Sequence, residues 1–111
     1  SMVKGDIMNL KDKIKTDIKN NSIILYMKGT KLMPMCGFSA TILNILNTYG
    51  VNYEYVNVLE DPKIRVKLSE YSDWPTIPQL FVDGELIGGC DIAIELHNNG
   101  ELQEIFDKTQ K

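Results

Sequence analysis

The sequence predicts an α/β fold in which a four-stranded mixed sheet is flanked by helices. An apolar run over 23–27, a helical pattern over 37–49 and an alternating strand pattern over 51–58 follow one another, which is a βαβ unit with parallel strands. Two later apolar runs flank Asp83-Gly84-Glu85, and Asp-Gly between such runs predicts an antiparallel hairpin. With 111 residues the chain is long enough for one core and too short for two. Residues 1–111 are therefore expected to form a single domain.

The first third of the chain contains a predicted helix and a predicted central strand. Apolar residues recur every three or four positions, which predicts an amphipathic helix from about Asp6 to Asn20; they are Ile7, Leu10, Ile14 and Ile18. Turn-forming residues at 20–22 end this helix. The run over 23–27 is continuously apolar and begins with β-branched residues, so it suits a strand that is covered on both faces.

The middle of the chain repeats this alternation of helix and strand. The helix over 37–49 has an apolar face and is followed by Gly50, a residue that commonly ends helices; the face consists of Ile42, Ile45, Leu46 and Tyr49. Aromatic and β-branched residues alternate over 51–58, as in a strand. Asp61-Pro62 then predicts the start of a helix, because proline is favoured at the first helical position.

The last third begins with a proline-rich loop, Trp74-Pro75-Thr76-Ile77-Pro78. The hairpin strands follow over 79–82 and 86–88. A glycine-containing turn over 88–91 then leads into a helix over 92–98. A final helix is expected from Glu101 to about Lys108, and these elements complete the four-stranded sheet.

Composition excludes several classes of function. The net charge of −3 argues against nucleic-acid binding, which usually needs a basic face. No apolar run approaches the ~20 residues that cross a bilayer, so no membrane association is expected. The single histidine, His97, makes a zinc site improbable. Two widely spaced cysteines suggest a reducing compartment, and a cytoplasmic or mitochondrial location is expected.

Cys36 lies at the junction between the first strand and the helix that follows it. The first turn of a helix has unpaired N–H groups and the positive end of the helix dipole, so it favours an anion. A thiol at this position loses its proton more easily, and the thiolate is the form that attacks disulfides or binds metals. Cys36 is therefore the predicted reactive residue.

Three blocks of sequence together resemble the monothiol (Cys-Gly-Phe-Ser) glutaredoxins. They are Cys36-Gly37-Phe38-Ser39, the segment over 74–79 (Trp-Pro-Thr-Ile-Pro-Gln) and Gly88-Gly89-Cys90-Asp91. The resemblance extends from about Ile23 to Phe106. It implies a thioredoxin fold, glutathione binding and a 2Fe–2S cluster that bridges two subunits.

By this resemblance, Cys36 is the cluster ligand and the thiol that exchanges with glutathione. A 2Fe–2S centre commonly needs four thiolates. Two subunits supply two of them, and two glutathione molecules could supply the rest. The resemblance therefore implies a homodimer when the cluster is bound, with iron–sulfur recipients or regulatory proteins as further partners.

The remaining family roles concern glutathione. Lys28, helped by Arg65, is expected to contact the glycine carboxylate through charge-assisted hydrogen bonds. Ile77, which precedes a proline expected to be cis, is expected to pair its backbone with the tripeptide. Cys90 and Asp91 are expected to hold the γ-glutamyl end, with backbone N–H groups at a helix start binding its carboxylate.

The chain departs from the family pattern at two positions. Lys31 stands where family members commonly have proline, and the loop is expected to be looser for it. Ser69 stands where many members have a lysine, which removes one cation near glutathione.

The sequence leaves open the function of the protein and the role of Cys90. The main hypothesis is iron–sulfur cluster binding and transfer; the alternatives are a glutathione-dependent thiol-disulfide oxidoreductase that removes glutathione from mixed disulfides, and an adaptor for regulatory partners. Serine at position 39 cannot resolve a mixed disulfide, so the oxidoreductase would rely on a second glutathione or on Cys90. Cys90 could instead fill space, or form a disulfide with Cys36 if their Cα atoms are close enough.

Overall fold

The computed structural model describes residues 9–109, which contain four strands and five α-helices. The strands are β1 (Ile23–Met27), β2 (Glu54–Asn57), β3 (Gln79–Val82) and β4 (Glu85–Gly88). The helices are α1 (Leu10–Asn20), α2 (Gly37–Tyr49), α3 (Pro62–Ser72), α4 (Cys90–Asn98) and α5 (Glu101–Asp107). A short 3₁₀ turn, Val58–Glu60, joins β2 to α3.

The strands form one mixed sheet in the order β2-β1-β3-β4. Strand β1 pairs in parallel with β2, with Leu25 opposite Tyr55, and antiparallel with β3, with Leu25 opposite Leu80. Strand β4 adds antiparallel to β3 through the predicted hairpin. The predicted four-stranded mixed sheet is therefore confirmed, and β1 is a central strand as its apolar sequence indicates.

The sheet separates two apolar clusters, because successive side chains of a strand point to opposite faces. Helices α2, α4 and α5 pack on the face to which Leu25 and Met27 of β1 contribute. Helices α1 and α3 pack on the other face, around Ile24, Tyr26 and Phe81. Both faces are covered, which explains why every residue of β1 is buried.

Local sequence signals define the helix ends. Gly50 ends α2 in a left-handed conformation, with φ of 67°, and its N–H donates to the Asn47 carbonyl. The Asp61 carboxylate accepts from the Lys63 N–H at the start of α3, where Pro62 occupies the first turn. These ends agree with the predicted ones, since each uses a residue suited to its cap.

Three elements have boundaries that differ from the predictions. Strand β2 covers 54–57 of the predicted 51–58, and at its end the Asn57 side chain accepts from the Leu59 N–H, where the chain enters the 3₁₀ helix. Glu85 belongs to β4, so the turn is the two-residue Asp83-Gly84 with positive φ at both positions. Helix α4 begins at Cys90 and not at 92.

Helix α1 begins at Leu10, after Asn9, whose side chain accepts from the Asp12 N–H. The predicted helix start at Asp6, with Ile7, lies outside the described residues. Between residues 9 and 109 no helix is long and apolar enough to cross a membrane.

Candidate functional site

Cys36 is the residue immediately before α2, with an extended backbone (φ −152°, ψ 136°). The backbone N–H of Ser39 faces the sulfur and lowers the pKa of the Cys36 thiol. Burial opposes this effect, while the Phe38 N–H, the Lys28 charge and the Ser39 hydroxyl lower the pKa further. The predicted activation of the thiol at a helix start agrees with this geometry.

Ser39 contributes more to the site than its inability to resolve a disulfide suggests. It is fully buried, and its hydroxyl accepts a hydrogen bond of 3.1 Å from the Lys28 N–H. This bond ties the end of β1 to the first turn of α2. Sequence reasoning did not assign Ser39 a site role. The available signal was its spacing of three and four from Ile42 and Leu43, which places it on the buried face of α2.

The loop between β1 and Cys36 folds back on itself through backbone hydrogen bonds. The Met35 N–H donates to the Lys28 carbonyl at 2.8 Å, and Thr30 and Met33 exchange backbone bonds of 3.0 and 3.1 Å. The Gly29 N–H donates to Asn57 Oδ1 at 2.9 Å, which attaches the loop to the end of β2. The two ends of the loop are therefore bonded to each other, and its first residues are also bonded to β2.

Gly29 is required by this loop. Its φ is +98°, and a Cβ there would lie 2.4 Å from the Met33 carbonyl oxygen and 2.6 Å from the Met35 nitrogen. Real Cβ contacts essentially never come this close, and L side chains rarely adopt this backbone conformation. Only glycine allows the chain to turn so tightly ahead of Cys36.

Lys31 restrains the loop in a way that the sequence did not reveal. Its ammonium lies 4.1 Å from the centroid of the Tyr53 ring and 5.7 Å from that of Tyr55. It also donates to the Tyr53 carbonyl at 3.4 Å. These contacts attach the loop to the start of β2. The loop was expected to be looser without proline at position 31, and the contacts of the Lys31 side chain offset this effect.

A groove of about 230 Å³ lies beside the start of α2. Its lining combines the loop after α3 with the start of α4: Phe38, Trp74, Thr76, Ile77, Pro78, Gly89, Cys90, Asp91 and Ile92. The structure thus brings together three residues that were expected at a glutathione site, Ile77, Cys90 and Asp91. The Ile77–Pro78 peptide bond is cis, as the resemblance implies.

Gly89 lines the groove at a point where its backbone comes close to Pro78 and Trp74. A Cβ at this position would lie 3.3 Å from the Pro78 carbonyl oxygen and 3.4 Å from Trp74 Nε1. Gly89 also precedes α4, where no side chain of the described residues caps the first turn. The first turn of α4, with Cys90 and Asp91, is therefore able to face an anionic group.

Cys90 differs chemically from Cys36. Burial raises the pKa of the Cys90 thiol, and the charges of Asp91 and of Cys36 raise it further. The two thiols are thus close enough to interact electrostatically, but both are free and no disulfide joins them. Cys36 is the thiol that more readily forms a thiolate.

The two expected cations lie at different places. Lys28, half-exposed at the end of β1, faces Cys36 closely enough to lower its pKa. Arg65 is exposed on α3 and lines a separate hollow with Ser69 and Pro75. The structure does not place Arg65 in the groove, so its role stays a prediction.

No group of three or more His, Cys, Asp or Glu side chains within residues 9–109 could hold a metal ion. In this part of the chain, the candidate site offers one activated thiol beside a groove, and not a preformed metal centre.

The sequence model of the glutaredoxin family matches residues 23–87, which include β1, the Cys36 segment and the hairpin. The chain belongs to the glutaredoxin family. A relative from Rickettsia felis, named probable monothiol glutaredoxin 2, is 55% identical over 93 residues, which are 84% of this chain and 89% of the relative. The resemblance to monothiol glutaredoxins is thereby confirmed.

Two solved structures support the same fold. Reduced apo GrxS14 from poplar has a TM-score of 0.78 and 47% identity, and the match covers 89% of this chain and 91% of GrxS14. The buckwheat glutaredoxin–glutathione complex has a TM-score of 0.77 at 22% identity, with 86% of each chain covered. The predicted thioredoxin fold is therefore confirmed for this glutaredoxin.

Proposed function

We propose that this glutaredoxin binds glutathione in the groove beside Cys36 and, as a dimer, holds a 2Fe–2S cluster for transfer to recipient proteins. The observation that carries the proposal is the placement of Cys36. Its thiol favours the thiolate, it has no second cysteine in its own motif, and Phe38, two residues further along the chain, lines the groove. A thiolate is the form that iron binds.

The groove suits the γ-glutamyl end and the middle of glutathione, and Lys28, whose charge acts on Cys36, suits its glycine end. The first turn of α4 and the Asp91 carboxylate suit the carboxylate and ammonium of the γ-glutamyl end, respectively. The backbone of Ile77 suits the extended middle of the peptide. Lys28 is the proposed cation for the glycine carboxylate, and Arg65, which lines a separate hollow beside Pro75, is its expected helper. The buckwheat relative, which has the same fold, was crystallised with glutathione.

The stoichiometry of thiolates supports the dimer. A 2Fe–2S cluster commonly takes four thiolates, and one chain offers Cys36 as its activated thiol. In this proposal the protein carries the cluster as cargo for transfer. Two Cys36 thiolates from two chains, with the thiolates of two bound glutathione molecules, complete the set without any further ligand from the chain.

The proximity of Cys90 to Cys36 favours one alternative, the removal of glutathione from mixed disulfides. The Cys36 thiolate would attack the glutathione sulfur, form Cys36–S–S–glutathione and release the substrate thiolate. A second glutathione thiolate would then attack this disulfide, release oxidised glutathione and restore Cys36. Cys90 could instead attack the Cys36 sulfur, which forms a Cys36–Cys90 disulfide and releases reduced glutathione, and two further glutathione molecules would reduce that disulfide and leave as oxidised glutathione. The raised pKa of Cys90 makes it the poorer nucleophile at neutral pH.

Anaerobic reconstitution tests the proposal. The protein is incubated with ferrous iron and sulfide, with and without glutathione, and visible absorption reports the cluster. We expect a chromophore that requires glutathione, is lost in Cys36→Ser and is retained in the matched variant Cys90→Ser. A chromophore of equal intensity in Cys36→Ser would overturn the proposal. A colourless protein that still releases glutathione from a mixed disulfide would establish the alternative.

A further inference from the structure

Three sulfur-containing side chains lie within four residues at the end of the loop before α2. They are Met33, Met35 and Cys36, with Pro34 between the two methionines. Met33 is 66% exposed and Met35 is 61% exposed, whereas Met27 of β1 is fully buried. Methionine commonly fills gaps in a core, and these two contribute to no core. Nothing in the proposed chemistry of Cys36 uses their thioethers.

Backbone hydrogen bonds hold the three residues on a short, bent segment. The Met35 N–H donates to the Lys28 carbonyl at 2.8 Å, and the Met33 N–H donates to the Thr30 carbonyl at 3.1 Å. The chain bends at Met33, Met35 and Cys36, so they span less than the roughly 10 Å that three steps of extended chain cover. The long, flexible methionine side chains are able to close this distance.

The Met35 side chain also lies near the residues that face Cys36. A Cβ on Gly29 would lie 2.8 Å from Met35 Cγ, so this side chain packs against Gly29. The preceding residue, Lys28, faces Cys36 closely enough to lower the pKa of its thiol. The side chains of Met35 and Cys36 therefore border the same two residues of the loop.

The sulfur ligands determine which metal ion fits. No cluster of His, Cys, Asp and Glu exists within residues 9–109, but thioethers are ligands of a different kind. They are soft, and a set of thiolate and thioethers favours Cu(I), whereas zinc sites use thiolate, imidazole and carboxylate. The lowered pKa of Cys36 supplies the thiolate. One thiolate balances the charge of Cu(I), so Lys28 meets no net positive charge.

We propose that Cys36, Met35 and Met33 together bind one Cu(I) ion. The Cys36 thiol releases its proton to solvent as the copper–sulfur bond forms, and the copper stays in the same oxidation state. The site shares Cys36 with the proposed cluster, so the two compete, but it does not use the glutathione groove and does not rest on the cluster proposal. Cys90, whose thiol has a raised pKa, is not a ligand.

NMR of the methionine methyl groups tests the site on the full chain. The protein is labelled with [ε-¹³C]methionine and titrated anaerobically, without glutathione, with the acetonitrile complex of Cu(I). We expect the Met33 and Met35 methyl signals to shift and saturate at one copper per chain, and the buried Met27 signal to stay unchanged. Met33→Leu and Met35→Leu assign the two signals. Unchanged Met33 and Met35 signals would overturn the proposal.

Competition with bathocuproine disulfonate, a chromogenic Cu(I) chelator, measures the affinity. We expect Met33→Leu/Met35→Leu to bind at least about tenfold more weakly, since even outer-shell changes commonly cost about tenfold in metal affinity. Cys36→Ser should lose binding. Leu32→Ala is the matched control, because this side chain is 98% exposed in the same loop and has no sulfur. Wild-type affinity in the double variant, or an equal loss in Cys90→Ser and Cys36→Ser, would contradict the proposed ligands.

Cluster reconstitution of the double methionine variant separates this inference from the proposed function. A 2Fe–2S centre takes thiolates, so the variant should assemble the cluster as the wild type does. If the wild type binds Cu(I) through its thioethers but assembles no cluster, the copper site stands and the cluster proposal fails. If the wild type assembles the cluster while both proteins bind Cu(I) equally, the copper site fails alone.

Discussion

At the residue scale, backbone N–H groups at the start of α2 act on the Cys36 sulfur, because the first turn of a helix leaves such groups without helical partners. The Ser39 N–H makes the largest contribution to the lowered pKa, and the Lys28 charge a smaller one. The site therefore depends on the position of the cysteine in the fold more than on any one cationic side chain.

The pH dependence of alkylation tests this account of Cys36. Only the thiolate reacts with iodoacetamide, and a lowered pKa means that the thiolate persists to lower pH. We expect the alkylation of Cys36 to reach half its maximal rate at lower pH than that of Cys90, whose pKa is raised. Mass spectrometry of Cys90→Ser and Cys36→Ser measures each thiol separately. Coincident pH profiles would contradict the account.

Ser39→Ala tests the link between β1 and α2. The substitution leaves the Lys28 N–H without its hydrogen-bond acceptor in a partly buried region, which is expected to destabilise the fold by about 1 kcal/mol. It also removes a hydroxyl that lowers the pKa of Cys36, so alkylation should shift to higher pH. Urea unfolding and alkylation measure the two effects, with Ser69→Ala on α3 as the control. An unchanged alkylation profile would show that the hydroxyl does not act on the thiol.

At the element scale, the loop before Cys36 requires glycine at one position. Gly29→Ala introduces a Cβ that collides with backbone atoms of Met33 and Met35 at positive φ. We expect a loss of about 2 kcal/mol or more in the free energy of unfolding. Gly37→Ala is the matched control, because no atom lies within 4 Å of its Cβ position. Equal stabilities of the two variants would mean that the loop is not built as described.

Lys31 restrains the same loop through its side chain. Lys31→Met keeps an unbranched side chain but removes the charge that contacts Tyr53 and Tyr55. We expect lower ¹⁵N order parameters over 30–35 and a stability loss of no more than about 1 kcal/mol, as for exposed cation–π contacts. Lys63→Met at the start of α3 is the control and should leave the loop unchanged. If Lys31→Met leaves the order parameters unchanged, backbone hydrogen bonds alone hold the loop.

At the scale of the whole molecule, the sheet keeps two regions apart. The groove beside Cys36 combines the start of α2, the loop after α3 and the start of α4, whereas a second cavity of about 440 Å³ lies between α1, β2 and α3. The loop over 28–35 reaches this cavity through Thr30 and ends next to Cys36. The sheet therefore keeps the second cavity apart from the groove beside the reactive thiol.

Much of this architecture followed from sequence periodicity. The apolar run of β1 is typical of a strand that is buried on both faces, and Asp83-Gly84 is a strong signal for a hairpin. The four-stranded mixed sheet was therefore predicted correctly. The length of β2 was not, because its end depends on an Asn57 side chain that bonds to Gly29, far away in sequence. Hydrophobic patterns carry no information on such long-range polar bonds.

The site was only partly predictable for the same reason. The position of Cys36 at a helix start followed from local pattern, but joining Ile77 and Asp91 in one groove required the family resemblance. The buried role of Ser39 required the structure, as did the finding that the Tyr26 hydroxyl has no hydrogen-bond partner within residues 9–109. A continuous apolar strand predicts that Tyr26 is buried, but not what its hydroxyl meets.

Native mass spectrometry of the reconstituted protein tests the central claim most directly, because it counts the components that the proposal requires. We predict one species that contains two chains, two glutathione molecules and one 2Fe–2S cluster, and that is absent from Cys36→Ser. Its dissociation should release chains without the cluster, since one chain does not supply four thiolates. A cluster carried by a single chain, or by a dimer without glutathione, would contradict the account.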